Sequence, residues 1–156
     1  IFCMAVYPQL YIIINCTIMN TKVKEPVSKI MTTNVITLDV NNDLSDACRL
    51  FLNHKIRHLP IVKNHKMVGI LSYNDVLRIS FGEAYDDKSA IDNTIYKLIS
   101  IKQLMVEDPI RVCPDDSIRK VIKVLINNKF HAVPVVENRK LVGMVSTTDL
   151  LKYLMA

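Results

Sequence analysis

Apolar and polar positions follow two patterns in this chain. From Glu25 onward, short apolar runs typical of buried strands alternate with segments in which apolar residues recur every three or four positions, as in amphipathic helices. In the first such helix, capped by Asp43, we expect Leu44, Ala47, Cys48, Phe51 and Leu52 to share the buried face. In the first half of the chain the predicted elements are a helical turn at 27–31, strands at 35–38, 59–62 and 67–71, and helices at 43–55 and 73–79.

The second half of the chain repeats the first. Residues 30–79, moved by 74 positions, align with 104–153 without a gap, and thirteen of the fifty pairs are identical. The fullest match joins 68–77 to 142–151, where an apolar run containing Gly is followed by Ser, two spacers and Asp. An ungapped match of this length indicates a duplicated unit.

Each duplicated unit has the predicted order strand, helix, strand, strand, helix, which gives an α+β fold of the α/β type. Because about fifty residues form only a marginal core, we expect the units to pack together with pseudo-twofold symmetry and to create two equivalent clefts. We predict an N-terminal apolar segment at 1–22, a first repeat at 23–82, a linker with its own helix at 83–100 and a second repeat at 101–156.

Residues 1–21 carry no charge and have the apolar centre Ile12-Ile13-Ile14. Their length would suit a membrane span, but prolyl and amide residues interrupt the segment and no basic residue precedes it. We therefore expect a non-native or accessory segment rather than a membrane anchor. Met19 would be a sensible start for the native chain.

Composition narrows the function classes. Half of the residues are hydrophobic and 22% are charged, which indicates a folded protein. The net charge of +5 is not gathered into a basic tract and only 6% of residues are aromatic, so a nucleic-acid surface is disfavoured. The four cysteines form no Cys-x-x-Cys, which argues against a metal site and favours reduced thiols in the cytoplasm.

Three repeated motifs carry a family resemblance. They are Ile30-Met31 with Leu104-Met105, the strands at 55–62 and 129–136 that contain Pro60 and Pro134, and the two Gly-to-Asp corners. Between about residues 26 and 155 the chain resembles a tandem pair of cystathionine-β-synthase (CBS) domains, the Bateman module. The resemblance implies a regulatory module that binds adenosine-containing ligands between its repeats. It also implies that two modules pair into a flat, disc-shaped homodimer.

The two corners supply the first candidate site residues. The resemblance implies that Asp75 and Asp149 accept hydrogen bonds from ribose hydroxyls, whereas Ser-x-x-Asp is also a variant of the helix capping box. Hydroxyls at a helix N-terminus suit a phosphate, which makes Ser72, Ser146 and Thr147 candidates. Tyr73 stands where the second repeat has Thr147, and its ring could cover the first corner.

The strands before the corners differ between the repeats. The resemblance implies that Arg57, His58 and His131 reach ligand phosphates, with solvent-facing strand ends as the alternative. The second repeat has Ala132 where the first has His58, so the two clefts need not share affinity or ligand.

Three positions in the short first strands and two prolines in later strands complete the set of candidate residues. The resemblance implies that Ile36 and Ile110 line an apolar slot for the base, with the ordinary core as the alternative, and Thr37 could add a hydroxyl. Pro60 and Pro134 are expected to shape a strand edge, where a missing N–H costs nothing.

These residues favour a ligand-sensing module that signals to a partner protein by conformational change. An enzyme is disfavoured, because the repeated Ser and Asp lack a His base and only three glycines are present. A structural dimerisation protein and a nucleic-acid-binding protein remain the alternatives. The pair uses most of the chain, so we expect the effector to be a separate protein or part of a longer one.

Overall fold

The computed structural model describes residues 20–81 and 99–156 and has the predicted α+β fold. Most of the predicted N-terminal segment and of the predicted linker helix lies outside these residues. No helix in the described ranges combines the length and apolar character that a membrane crossing requires. The elements are a 3-10 turn (Val27–Lys29), β1 (Leu38–Asp39), α1 (Leu44–His54), β2 (His58–Lys63), β3 (Lys66–Ser72), α2 (Tyr73–Phe81), α3 (Ile101–Leu104), β4 (Val106–Glu107), α4 (Ile118–Asn128), β5 (Ala132–Glu137), β6 (Lys140–Ser146) and α5 (Thr147–Met155).

The predicted first strand at 35–38 is wrong in position. The ladder begins only at Leu38, where β1 runs parallel to β2 for two residues. In the second repeat the counterpart is a single bridge between Val112 and Val135. Periodicity cannot place such short pairings, because two residues leave no alternation to detect.

Two predictions for helix α1, the cap by Asp43 and the burial of Leu52, differ from the structure. Asp43 occupies the N-cap with extended backbone, but its side chain makes no capping hydrogen bond. Leu44, Ala47 and Phe51 are buried, whereas Leu52 is 64% exposed. Leu52 follows Phe51 by one residue, about 100° around the helix, and this rotation takes it off the buried stripe.

The chain folds into two compact units made of interleaved segments. Among the described residues, the first unit comprises 34–81, 99–111 and Val136–Leu141, and the second comprises 20–33, Val112–Val135 and Val142–Ala156. In the first unit the sheet order is β1-β2-β3-β4, with α1 and α3 contributing to one apolar core. In the second unit β5 and β6 pair beside a core that includes Val27, Val121 and Leu150.

Each unit combines a hairpin from one repeat with the opening segment of the other. The opening segments are residues 23–33 of the first repeat and 101–111 of the second. In the first unit β4, from the second repeat, pairs antiparallel with β3 through Gly69–Glu107 and Ile70–Val106. In the second unit Thr32 of the first repeat forms the equivalent antiparallel bridge with Met144. Residues that are 74 positions apart in the sequence therefore make equivalent contacts in the two units.

A methionine packs against a strand glycine at each of these junctions. A Cβ on Gly69 would lie 2.5 Å from Met105 Sδ and 3.0 Å from the Val106 carbonyl oxygen. A Cβ on Gly143 would lie 2.7 Å from Met31 Sδ and 3.1 Å from the Thr32 carbonyl oxygen. A methyl group at either position would push the methionine side chain aside and crowd the neighbouring carbonyl oxygen, so the close approach of the two segments favours Gly in both repeats.

We expect Gly69→Ala to lower the free energy of unfolding by about 1–3 kcal/mol, because the added methyl overpacks the contact with Met105 and Val106. Chemical denaturation measures this change. Lys66→Ala, at an exposed position of the same strand, is the control and should change stability by less than about 0.5 kcal/mol. Equal stability of the two variants would show that β4 does not pack closely on Gly69.

Candidate functional site

The corner of the second repeat is a closed capping box. Strand β6 ends at Ser146 and α5 begins at the next residue. The Ser146 hydroxyl accepts a hydrogen bond from the Asp149 N–H at 3.2 Å. Asp149 Oδ2 accepts from the Ser146 N–H at 2.8 Å and from its hydroxyl at 2.6 Å. The capping alternative is therefore confirmed for this copy, and it fixes the orientation of the carboxylate.

The corner of the first repeat has the same residues and different hydrogen bonds. Strand β3 ends at Ser72, whose hydroxyl accepts from the Asn74 N–H at 3.2 Å. The Asp75 carboxylate instead pairs with Arg78 at 3.5 Å. Since the Arg78 side chain is 81% exposed, this ion pair is weak and solvent competes with it.

Backbone hydrogen bonds tie each corner to the residue before the preceding strand. The Tyr73 N–H donates to the Arg57 carbonyl oxygen, and the Thr147 N–H donates to the His131 carbonyl oxygen, both at 3.0 Å. The backbone of Arg57 therefore lies beside the first turn of α2, and the backbone of His131 lies beside the first turn of α5. The structure groups Arg57, His58, Ser72 and Asp75 in the first unit and His131, Ser146, Thr147 and Asp149 in the second.

The residues predicted for an apolar slot lie before the ladders rather than in them. Ile36 is half-buried against the core of the first unit, and Thr37 is exposed. Ile110 is 45% exposed and belongs to the first unit, whereas the other predicted residues of the second repeat belong to the second unit. This assignment follows from the exchange of opening segments.

The prolines occupy buried strand positions. Pro60 lies in β2, which has β3 on one side and β1 on the other. The prediction that Pro60 lies at a strand edge is therefore wrong. Pairing with β1 begins at Ile61, one residue after Pro60, and no ladder partner is lost. In the second repeat the Pro134 carbonyl oxygen accepts from the Val112 N–H at 3.0 Å.

The aromatic residue of the first corner turns toward the core. The Tyr73 ring lies 5.4 Å from the Phe51 ring at an interplanar angle of 52° and packs against the core of the first unit. It therefore does not play the covering role considered for it. An aromatic pair of this geometry adds to the stability gained by burial.

The far end of α5 is held by the chain before the 3-10 turn. The Tyr153 hydroxyl donates to Glu25 Oε2 at 3.2 Å, and Lys22 Nζ donates to the Tyr153 carbonyl oxygen at 3.3 Å. Partial burial raises the pKa of Tyr153, and its hydrogen bond to Glu25 adds to the rise. The hydrogen bond from Lys29 lowers the pKa of Glu25. Sequence reasoning missed this cluster, whose only local signal is the i,i+4 spacing of Glu25 and Lys29.

Comparison with known proteins gives two matches to the CBS domain, over residues 27–82 and 101–156. Protein MJ1225 of Methanocaldococcus jannaschii is 31% identical over 133 residues, which cover 85% of this chain and 44% of that protein. An inosine-5'-monophosphate dehydrogenase of Korarchaeum cryptofilum is 29% identical over 75% of this chain and 22% of the enzyme. The chain thus spans less than half the length of these curated relatives.

Solved structures share the fold. The CBS domain of a membrane protein from Sphaerobacter thermophilus superposes with a TM-score of 0.78, at 24% identity, over 92% of this chain and 96% of that one. The CBS domain pair of protein MJ0100 superposes with a TM-score of 0.66, at 25% identity, over 81% of this chain and 93% of that one. That pair was solved in complex with 5'-methylthioadenosine and S-adenosyl-L-methionine.

We expect Ser146→Ala to destabilise the protein by about 1 kcal/mol, because it removes a reciprocal helix cap. The matched variant Ser72→Ala should cost less, since Ser72 makes no bond to Asp75 among the described contacts. Thermal unfolding without ligand measures both. A larger loss for Ser72→Ala would contradict the difference between the two corners.

Proposed function

Since the chain belongs to the CBS domain family, we propose that it is a regulatory module rather than an enzyme. It binds an adenosine-containing ligand, an adenine nucleotide or S-adenosylmethionine, and signals to a partner protein by conformational change. The observation that carries this proposal is the pair of Ser-x-x-Asp corners at strand ends and helix starts. Support also comes from the MJ0100 domain pair, which holds adenosyl compounds at 25% identity.

The second corner is proposed to hold the ribose. Its capping box uses Asp149 Oδ2, so Asp149 Oδ1 would accept a ribose hydroxyl while the carboxylate keeps its orientation. Such preorganisation lowers the entropic cost of binding. Thr147 and His131 stand beside it at the positive end of the α5 dipole, where a phosphate would be stabilised.

The first corner is proposed to favour a more anionic ligand. Arg57 adds a permanent charge and a bidentate fork beside the start of α2, and His58 begins β2. Asp75 would exchange its exposed partner Arg78 for the ribose diol. In this proposal Ile36 and Thr37 lie on the same unit, and Pro60 and Pro134 shape the strands below the corners.

The proposal includes a homodimer in the cytoplasm. Leu52 on α1 and Ile126 on α4 occupy the same position of the two repeats, and they are 64% and 69% exposed. In this proposal the two side chains contribute to the apolar surface that a second copy of the chain covers.

We expect the double variant Leu52→Lys, Ile126→Lys to shift the protein from dimer to monomer in light scattering after size exclusion. Each charge would have to be desolvated in an apolar interface. The double variant Asn53→Lys, Asn127→Lys, at neighbouring exposed positions of the same helices, should remain dimeric. A Leu52/Ile126 variant that stays dimeric would contradict this surface.

We expect a thermal-shift screen with AMP, ADP, ATP, S-adenosylmethionine and cyclic dinucleotides to identify the ligand. A ligand present at about 100 times its dissociation constant adds about 2.7 kcal/mol to the free energy of unfolding. Asp149→Ala should abolish most of the shift and Asp75→Ala less of it. Each shift is measured against the same variant without ligand, because Asp149→Ala also opens the capping box.

Asp115→Ala, an exposed acid outside both corners, is the control and should keep the full shift. Full shifts in both corner variants would refute the ribose assignment. Without a shift from any ligand, the proposal fails and a structural dimerisation protein takes its place. Salt-sensitive binding to oligonucleotides would instead favour the nucleic-acid alternative.

A further inference from the structure

The turns of the two β-hairpins contain residue types that are unusual for the backbone conformation of these turns. Asn64 and His65 join β2 to β3 with φ values of 49° and 61°, and Asn138 and Arg139 join β5 to β6 with 50° and 65°. Two-residue turns in which both φ values are positive strongly prefer Gly at the second position. Both repeats place a basic residue there instead.

This choice costs stability at two sites. A side chain with a Cβ is strained in the left-handed region, whereas Gly adopts it freely. Strained residues that a protein retains are often part of a functional surface. Here the retained feature common to His65 and Arg139 is a basic side chain at a hairpin tip.

The two tips lie together in the first unit. This unit includes the segment Val136–Leu141, and the Met67 N–H donates to the Arg139 carbonyl oxygen at 3.2 Å. We call residues 63–66 and 137–140 the hairpin platform; all of them are exposed. It holds four Lys/Arg and one Glu, a net charge of 4 − 1 = +3 with His65 neutral.

The surroundings of the platform are mixed in charge. On the sheet next to it, Glu107 stands opposite Gly69, and the Asp108 N–H donates to the Val68 carbonyl oxygen at 3.3 Å. The Asp108 carboxylate is paired with Arg111 at 2.6 Å. The positive charge is therefore concentrated on the tips, with acids along one side.

We propose that the hairpin platform binds an acidic segment of a partner protein. The residues of the platform include no aromatic side chain on which a base could stack, and Glu107 and Glu137 would repel a continuous phosphate backbone. A protein segment with separated carboxylates matches this pattern of charges. The platform lies at the opposite end of β3 and β6 from the corners, about 20 Å along seven-residue strands.

The probe is a fluorescent peptide of eight glutamates separated from one another by glycines. Anisotropy in buffer of about 0.15 M ionic strength, where the Debye length is about 8 Å, measures its binding to the full chain. Lys63→Glu with Lys140→Glu weakens binding by at least about tenfold, since each reversal replaces an attraction by a repulsion. Lys102→Glu with Lys123→Glu makes the same change in net charge outside the platform and leaves binding within about twofold of wild type. Equal losses in the two double variants overturn the proposal.

Glycine variants test the strain and the charge together. His65→Gly with Arg139→Gly raises the unfolding midpoint by about 2–4 °C and weakens peptide binding. A lower midpoint, or unchanged binding, overturns the proposal. Platform-dependent binding that is tighter to oligo-dT or to phosphatidylserine vesicles than to the peptide also overturns it.

The nucleotide-induced thermal shift separates this inference from the proposed function. Lys63→Glu with Lys140→Glu keeps the full shift, because each hairpin tip lies at the other end of its strand from the Ser-x-x-Asp corner of that strand. Peptide binding persists in Asp75→Ala and Asp149→Ala, whatever the outcome of the ligand screen. Loss of peptide binding in those corner variants overturns the separation of the two surfaces.

Discussion

The close approach of a methionine to a strand glycine is the contact on which both units depend. Met105 packs on Gly69 in the first unit, and Met31 packs on Gly143 in the second. Each contact brings the opening segment of one repeat against the hairpin of the other, so that neither repeat completes a unit by itself. Each glycine also stands three residues before the serine of its corner. The packing that joins the repeats therefore supports the strand that ends at the candidate site.

The sequence was sufficient for the features that depend on local pattern. The α+β class and the strand–corner–helix order follow from spacing within about ten residues, and the structure confirms them. The repeat follows from an ungapped match of residues 30–79 with 104–153, and the two matches to the family model confirm it. The exchange of opening segments could not be predicted, because it depends on which distant hairpin pairs with the two-residue strand β4 and with the single bridging residue Thr32. This exchange also places Ile110, a residue of the second repeat, in the first unit.

The two corners show how neighbours decide the role of identical residues. Ser146 and Asp149 close a capping box, whereas Ser72 and Asp75 bond elsewhere. Three residues beyond the acid, the first repeat has Arg78 and the second has Lys152. Arg78 reaches Asp75 and offers a second partner for the carboxylate. Sequence identity at the corner predicts the residues available for a ligand, and the geometry depends on what surrounds them.

Strands β3 and β6 connect the surfaces on which the two proposed functions depend. Each begins at a hairpin tip, carries a glycine contact near its middle and ends at a Ser-x-x-Asp corner. In the proposed function, a shift imposed on the corner by a ligand would pass along the strand to the glycine contact and from there toward the tip. Any such coupling is reciprocal: a partner bound at the tips would change the affinity for the ligand by the same factor by which the ligand changes the affinity for the partner. The methionine–glycine contacts, which lie between the two surfaces, are therefore the positions at which a substitution would alter that coupling without touching either ligand.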